Sequence, residues 1–175
     1  TQAAGASLIQ PGATLDTSAS PFATAGFVID TGANGATLTI GGTVIGVNRG
    51  VAVQGNTGSV VIVQSTGAAF GIPPVNSFGI TLFGSAAAAR IQLDGTAQGH
   101  ESGVAMLGAD QVLAIGATGR ALGESDSGVE IFPSALRTQV TVAGTARGTE
   151  IGVQVIGTDA SVVVTASGVA AGVGP

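Results

Sequence analysis

Cysteine is missing from the 175 residues, which rules out disulfides and thiolate chemistry. Charge is scarce at 9%, and the five basic residues are all arginine. With a net charge of -5 there is no basic stripe for a phosphate backbone, so neither nucleic acid nor an anionic membrane surface is expected as a partner. Aromatic residues make up only 3%, so an interior has to be filled by Val, Ile, Leu and Ala. The β-branched members of that set favour strands. No apolar run approaches the roughly 20 residues needed to cross a bilayer, and no direct membrane insertion is expected. The first residue is Thr1, with neither an initiating Met nor a signal-type apolar stretch, and the expectation is an N-terminus trimmed from a longer chain.

What is present is glycine, 30 residues of it, within a composition that is 45% apolar. Disordered chains are poor in apolar residues and rich in charge, so this one is not of that class. The glycines are periodic. One set opens short apolar segments at Gly26, Gly50, Gly79, Gly103, Gly128 and Gly152, separated by 24, 29, 24, 25 and 24 residues. A second set, Gly46, Gly71, Gly99, Gly123, Gly148 and Gly172, keeps the same beat at 25, 28, 24, 25 and 24. Two markers in step define a repeat architecture, and the spacing is far from the every-third glycine of collagen.

Each repeat reads as three sides. A strand follows the first glycine, with one set of side chains inward (Val51 and Val53, Val104 and Met106, Val129 and Ile131, Val153 and Val155) and the alternate set outward (Ala52, Thr81, Ala105, Glu130, Gln154). A turn rich in Gly, Asn, Asp and Ser comes next, then a second strand carrying pairs such as Leu38 and Ile40, or Leu113 and Ile115. Ala86 to Ala89 reads as a corner between strands. A short third side leads to the second glycine. The last inward residue of the second strand precedes that glycine by 6 residues in odd coils and by 8 in even ones, giving a 49-residue super-repeat interrupted around Ile72-Pro73-Pro74-Val75. A single coil cannot bury its apolar interior, whereas stacked coils form a column. The predicted fold is all-β, a right-handed parallel β-helix (three-sided β-solenoid) of about six coils of 24–25 residues. Residues 1–25 are read as an irregular N-terminal lead-in or cap and 26–175 as the repeat domain. Charging the column, as in Val155→Asp, is expected to prevent folding.

The Gly-Val and Gly-Ile strand openings, the Gly/Asn/Ser turns and the second alternating strands resemble the passenger domains of bacterial autotransporters of the pertactin-like kind, over about Gly26 to Pro175. The resemblance implies secretion, a bacterial cell-surface location, an absence of cysteine, and an adhesive or scaffolding role. It carries over no functional residue, because the match lies in fold-forming positions. The membrane barrel, linker helix and Arg-Gly-Asp of that family are not found in this sequence, so the expectation is a passenger fragment.

Two surface features are candidates for function. Glu101, Asp126 and Glu150 each lie two residues before an opening glycine, and Asn48 holds that place in an earlier coil. Stacking brings such carboxylates together, where repulsion favours raised pKa values or a bound cation such as Ca²⁺, with Glu124 adding an oxygen. The alternative is a solvated loop edge. The second feature is a row at the end of the first strand, Phe83, Leu107, Phe132 and Ile156, which strict alternation points outward as an apolar interaction ridge. The alternative places these residues in a corner of the core. His100 beside Glu101 has no matching nucleophile or second histidine, and no catalytic residue is assigned. The sequence therefore predicts a non-enzymatic surface protein, an adhesin or scaffold whose partner is a protein or glycan surface, or itself. The alternatives are a self-assembling filament subunit and a polysaccharide-active β-helix enzyme.

Overall fold

A computed structural model describes residues 5–20, 24–73 and 76–174. Parts of the 1–25 lead-in (residues 1–4 and 21–23), the interruption at residues 74 and 75, and the last residue lie outside that description. The chain opens with β1 (Ala6–Ile9) and β2 (Thr14–Asp16). Six coils of three strands follow: β3 (Ala25–Ile29), β4 (Thr37–Ile40), β5 (Thr43–Val47); β6 (Arg49–Val53), β7 (Val60–Val63), β8 (Ala68–Ile72); β9 (Phe78–Leu82), β10 (Arg90–Leu93), β11 (Thr96–Gly99); β12 (Ser102–Met106), β13 (Val112–Ile115), β14 (Arg120–Gly123); β15 (Ser127–Ile131), β16 (Gln139–Val142), β17 (Thr145–Gly148); β18 (Ile151–Val155), β19 (Ser161–Val164), β20 (Val169–Gly172). Every third strand pairs in parallel with its counterpart one coil away. The first sheet has six strands from β3 to β18, the second seven from β1 to β19, and the third seven from β2 to β20. The arrangement fits the right-handed three-sided β-helix that the glycine beat predicts.

Register converts sequence period into columns. Ile29, Val53, Leu82, Met106 and Ile131 lie one above another in the first sheet, and Ile40, Val63, Leu93, Ile115 and Val142 in the second. All ten side chains are buried. The corresponding column of the third sheet is smaller: Val44, Ala69, Ala97, Ala121 and Ala146. The glycines explain why. A Cβ on Gly50 would sit 2.6 Å from the amide nitrogen of Phe70 on the third side of its own coil. One on Gly148 would run into the carbonyls of Asp126 and Ile151. At this corner the first and third sides pinch together backbone to backbone, which requires glycine at the contact and keeps the facing side chains small.

The two kinds of coil are visible in the connections. Between second and third strands, odd coils use two residues (41 and 42 after β4) and even coils four (64 to 67 after β7). The first corner compensates, with seven residues in odd coils (30 to 36) and five in the fourth and sixth (107 to 111, 156 to 160). Ala86 to Ala89 forms a corner, as expected, with Ala86 and Ala89 buried.

Two expectations are corrected. Ala52, Thr81, Ala105 and Glu130, read as outward positions of a half-buried strand, are all buried. They do point away from the core, but larger neighbours on the same outer face cover them. The Arg49 guanidinium lies 4.9 Å from the centroid of the Phe83 ring, and Phe78 meets Phe132 edge-on at 6.3 Å across the coil that contains Ala105. Val155, by contrast, is 47% exposed, because no rung stacks beyond β18. The column is dry through Ile131 and open at its last member.

Candidate functional site

The corner before the first strand places carboxylates on successive rungs, and the structure brings three of them together. One oxygen from each of Glu101, Asp126 and Glu130 lies within 4.8 Å of the others. Glu101 and Asp126 come from the loops before β12 and β15, as their spacing predicts. Glu130 comes from β15 itself. Its side chain runs back across the outer face to the preceding rung, where the Ser102 hydroxyl donates to its Oε2 at 3.2 Å. Burial pushes the Glu130 carboxyl up to about 7; the Ser102 bond opposes this, and the charges of Glu101 and Asp126 add to it. Burial, then Asp126, also raises Glu101, with His100 acting the other way. The Ser127 hydroxyl donates to Asp126 at 3.1 Å, so buried serines line the site.

The remaining members of the predicted column lie apart from this group. Glu124 turns toward the third sheet, accepting from the Gln98 amide at 2.7 Å, with His100 Nδ1 3.5 Å away. Glu150 is exposed and stands outside the three-carboxylate group. Asn48 lies two rungs from Glu101 and takes a positive φ of 65°. Its N–H donates to Ile72 and its carbonyl accepts from Phe78, so its backbone bridges the corner around the interruption. Three carboxylates held this close repel one another when all are charged, and one shared proton relieves the repulsion directly. The raised Glu130 carboxyl holds a proton here, and the same three carboxylates present oxygens to a cation.

The row Phe83, Leu107, Phe132 and Ile156 lies along the outer edge of the first sheet. The first three are half-buried and Ile156 is 51% exposed. Phe78, which sequence reasoning missed, extends the row inward along the same face through its contact with Phe132. The result is an apolar surface four rungs tall, with Arg49 laid over its Phe83 end. His100 pairs with Glu124 rather than with its neighbour Glu101.

Gln111 was also missed. Its side chain is fully buried, accepts from Gly108 N–H at 3.0 Å and donates to the carbonyls of Phe83 and Ala86 at 3.0 and 2.9 Å. Asn56 does related work earlier, donating to Ile29 and Gln54 at 3.2 and 2.8 Å. Both add side-chain bonds to backbone carbonyls at the first corner. These features define a three-sided parallel β-solenoid with a partly buried acidic cluster and an apolar outer row. No protein-family model matches the chain, and neither a curated protein nor a solved structure does.

Proposed function

We propose that this chain is a non-enzymatic display scaffold, a passenger of the autotransporter kind carried to the bacterial cell surface, whose first sheet presents an adhesive face to a protein or glycan surface. The observation that supports this reading is the apolar row along the outer edge of the first sheet. Four side chains in register across successive rungs, with Phe78 beside them, form a contiguous patch of the sort that marks a contact surface. The fold supplies rigidity, since each rung fixes the next by parallel pairing. A binding assay on immobilised matrix proteins and glycans tests it. Capture by at least one partner should be lost in Phe83→Ser/Phe132→Ser and in the most exposed member alone, Ile156→Ser, with far-ultraviolet circular dichroism showing that each variant keeps its strands. Binding that survives the double substitution would remove the row from the mechanism.

A second reading, self-association through the end rungs, has its own support. The strands β18, β19 and β20 contain no charged residue and no proline, and Val155, Val163, Val164 and Val169 are 45–53% exposed. Such edges template further pairing unless they are blunted. Light scattering separates the readings, because the first predicts a monomer and the second a mass that grows with concentration.

A further inference from the structure

We infer that the outer face of the third sheet carries a binding site for a sugar acid, a small ligand with one carboxylate and several hydroxyls. The site lies on a different face from the apolar row and is independent of it. A depression of about 260 Å³ is lined there by Gln98, Arg120, Leu122, Glu124, Arg147 and Thr149. That is slightly under the roughly 300–1,000 Å³ of pockets for drug-sized ligands, and it suits a single ring.

The charges decide what it takes. Of five arginines in an acidic protein, two line this one depression. Arg137 is neutralised by a bidentate pair with Asp110, both bonds 2.7 Å, and Arg49 is laid against Phe83. Among the described residues, Arg120 and Arg147 have neither an ion pair nor a side-chain hydrogen bond, and both are exposed. Ala121 and Ala146 point into the core, so alternation sends both arginines to the same outer face. Leu122 is the register partner of Arg147, which places Arg120 two residues along the neighbouring strand. From strand spacing and rise, their Cα atoms are about 8 Å apart. Two guanidinium forks at that separation converge on one planar oxyanion.

The other walls specify more than an anion. Glu124 shares the depression, where the Gln98 amide donates to one of its oxygens and His100 Nδ1 lies 3.5 Å from the other, and among the described residues it makes no ion pair with either arginine. A carboxylate rim accepts from hydroxyl groups and repels a second negative charge. Leu122 supplies an apolar floor between the polar walls, against which the C–H face of a sugar ring packs. A carboxylate, hydroxyls and an apolar ring face together describe a hexuronate, free or as a unit of an acidic polysaccharide.

The test is an amide NMR titration of the whole chain with sodium glucuronate, an oligoglucuronate, glucose and sulfate. The expected result is shifts confined to Gln98, Leu122, Glu124 and Arg147 with glucuronate, none with glucose, and weaker ones with sulfate. Binding should fall by about tenfold or more in Arg120→Gln and in Arg147→Gln, which corresponds to about 1.4 kcal/mol each. Tighter binding of the oligomer than of the monomer assigns the site to a polymer, and equal binding to a free sugar acid. Sulfate matching glucuronate would overturn the sugar assignment and leave a bare anion site. Absence of shifts, or binding unchanged in both variants with their melting temperatures intact, would overturn the site.

Discussion

Glu130 is buried on the outside of a sheet, among like charges, with a serine hydroxyl as its side-chain hydrogen-bond partner. Its carboxyl titrates near 7 in the folded protein and near 4.5 when exposed, so the folded state prefers the proton. Its contribution is therefore favourable below about pH 4.5 and is lost as pH rises through about 7. Urea denaturation should give a lower stability at pH 8 than at pH 5.5, by an amount on the order of 1–2 kcal/mol. Glu130→Gln should flatten this dependence and stabilise the protein at pH 8. A steep pH dependence surviving in the variant would contradict the assignment. Below pH 4 the trend reverses, since hydrogen bonds hold Asp16, Asp30 and Asp110 below the usual carboxylate range and protonation breaks those bonds. Ca²⁺ or EDTA should leave the melting temperature unmoved if the proton is what this cluster holds.

A second residue-scale effect sits at the first corner, where the position two before each second strand takes a positive φ in all six coils. Gly35 and Gly58 do so freely; Ala88, Asp110, Arg137 and Asp159 do so at 53–58°. Asp110 and Arg137 offset the cost with their ion pair, but Ala88 has no side-chain group to do so. Ala88→Gly should stabilise by about 0.5–1 kcal/mol, the relief of a left-handed alanine less the added freedom of the unfolded chain. A lowered melting temperature would show that the corner does not hold that conformation. Gly35, Gly58, Asp110 and Asp159 announce this column in the sequence, as turn residues that tolerate positive φ. Alanine and arginine give no sign of positive φ, and Glu130 gives none of burial.

At the scale of the strand, the alternation of side chains was readable and their covering was not. Alternation tells which way Ala105 and Glu130 point, but not that Phe78 and Phe132 close over that face. The buried columns were readable because β-branched and aliphatic residues recur in register, and the glycines because they stand where backbones touch. The same logic gives the columns unequal weight. Ile131→Asp, inside five stacked rungs, should prevent folding, since it buries a charge without a partner. Val155→Asp, on the last rung and half exposed, should fold with a loss of about 1–2 kcal/mol. Far-ultraviolet circular dichroism of the two variants checks the contrast, and equal outcomes would contradict the rung order.

For the whole molecule, the claim is that six coils and a leading pair of strands form one parallel stack. The 49-residue super-repeat, read from the sequence as 6- and 8-residue spacings, appears in the fold as two- and four-residue corners on alternate rungs. The candidate sites were less legible, because they depend on side chains crossing between rungs on an outer face. The missing cysteines offer a direct test, since introduced thiols can be spin-labelled without competition. Thr39, Ile62, Gln92, Ala114, Thr141 and Val163 share one column on the outer face of the second sheet. With one label fixed at Thr39 and the other moved along the column, pulsed electron paramagnetic resonance should give distances that increase by about 4.8 Å per coil and reach about 24 Å at Val163. Distances that do not rise with coil number would contradict the stack.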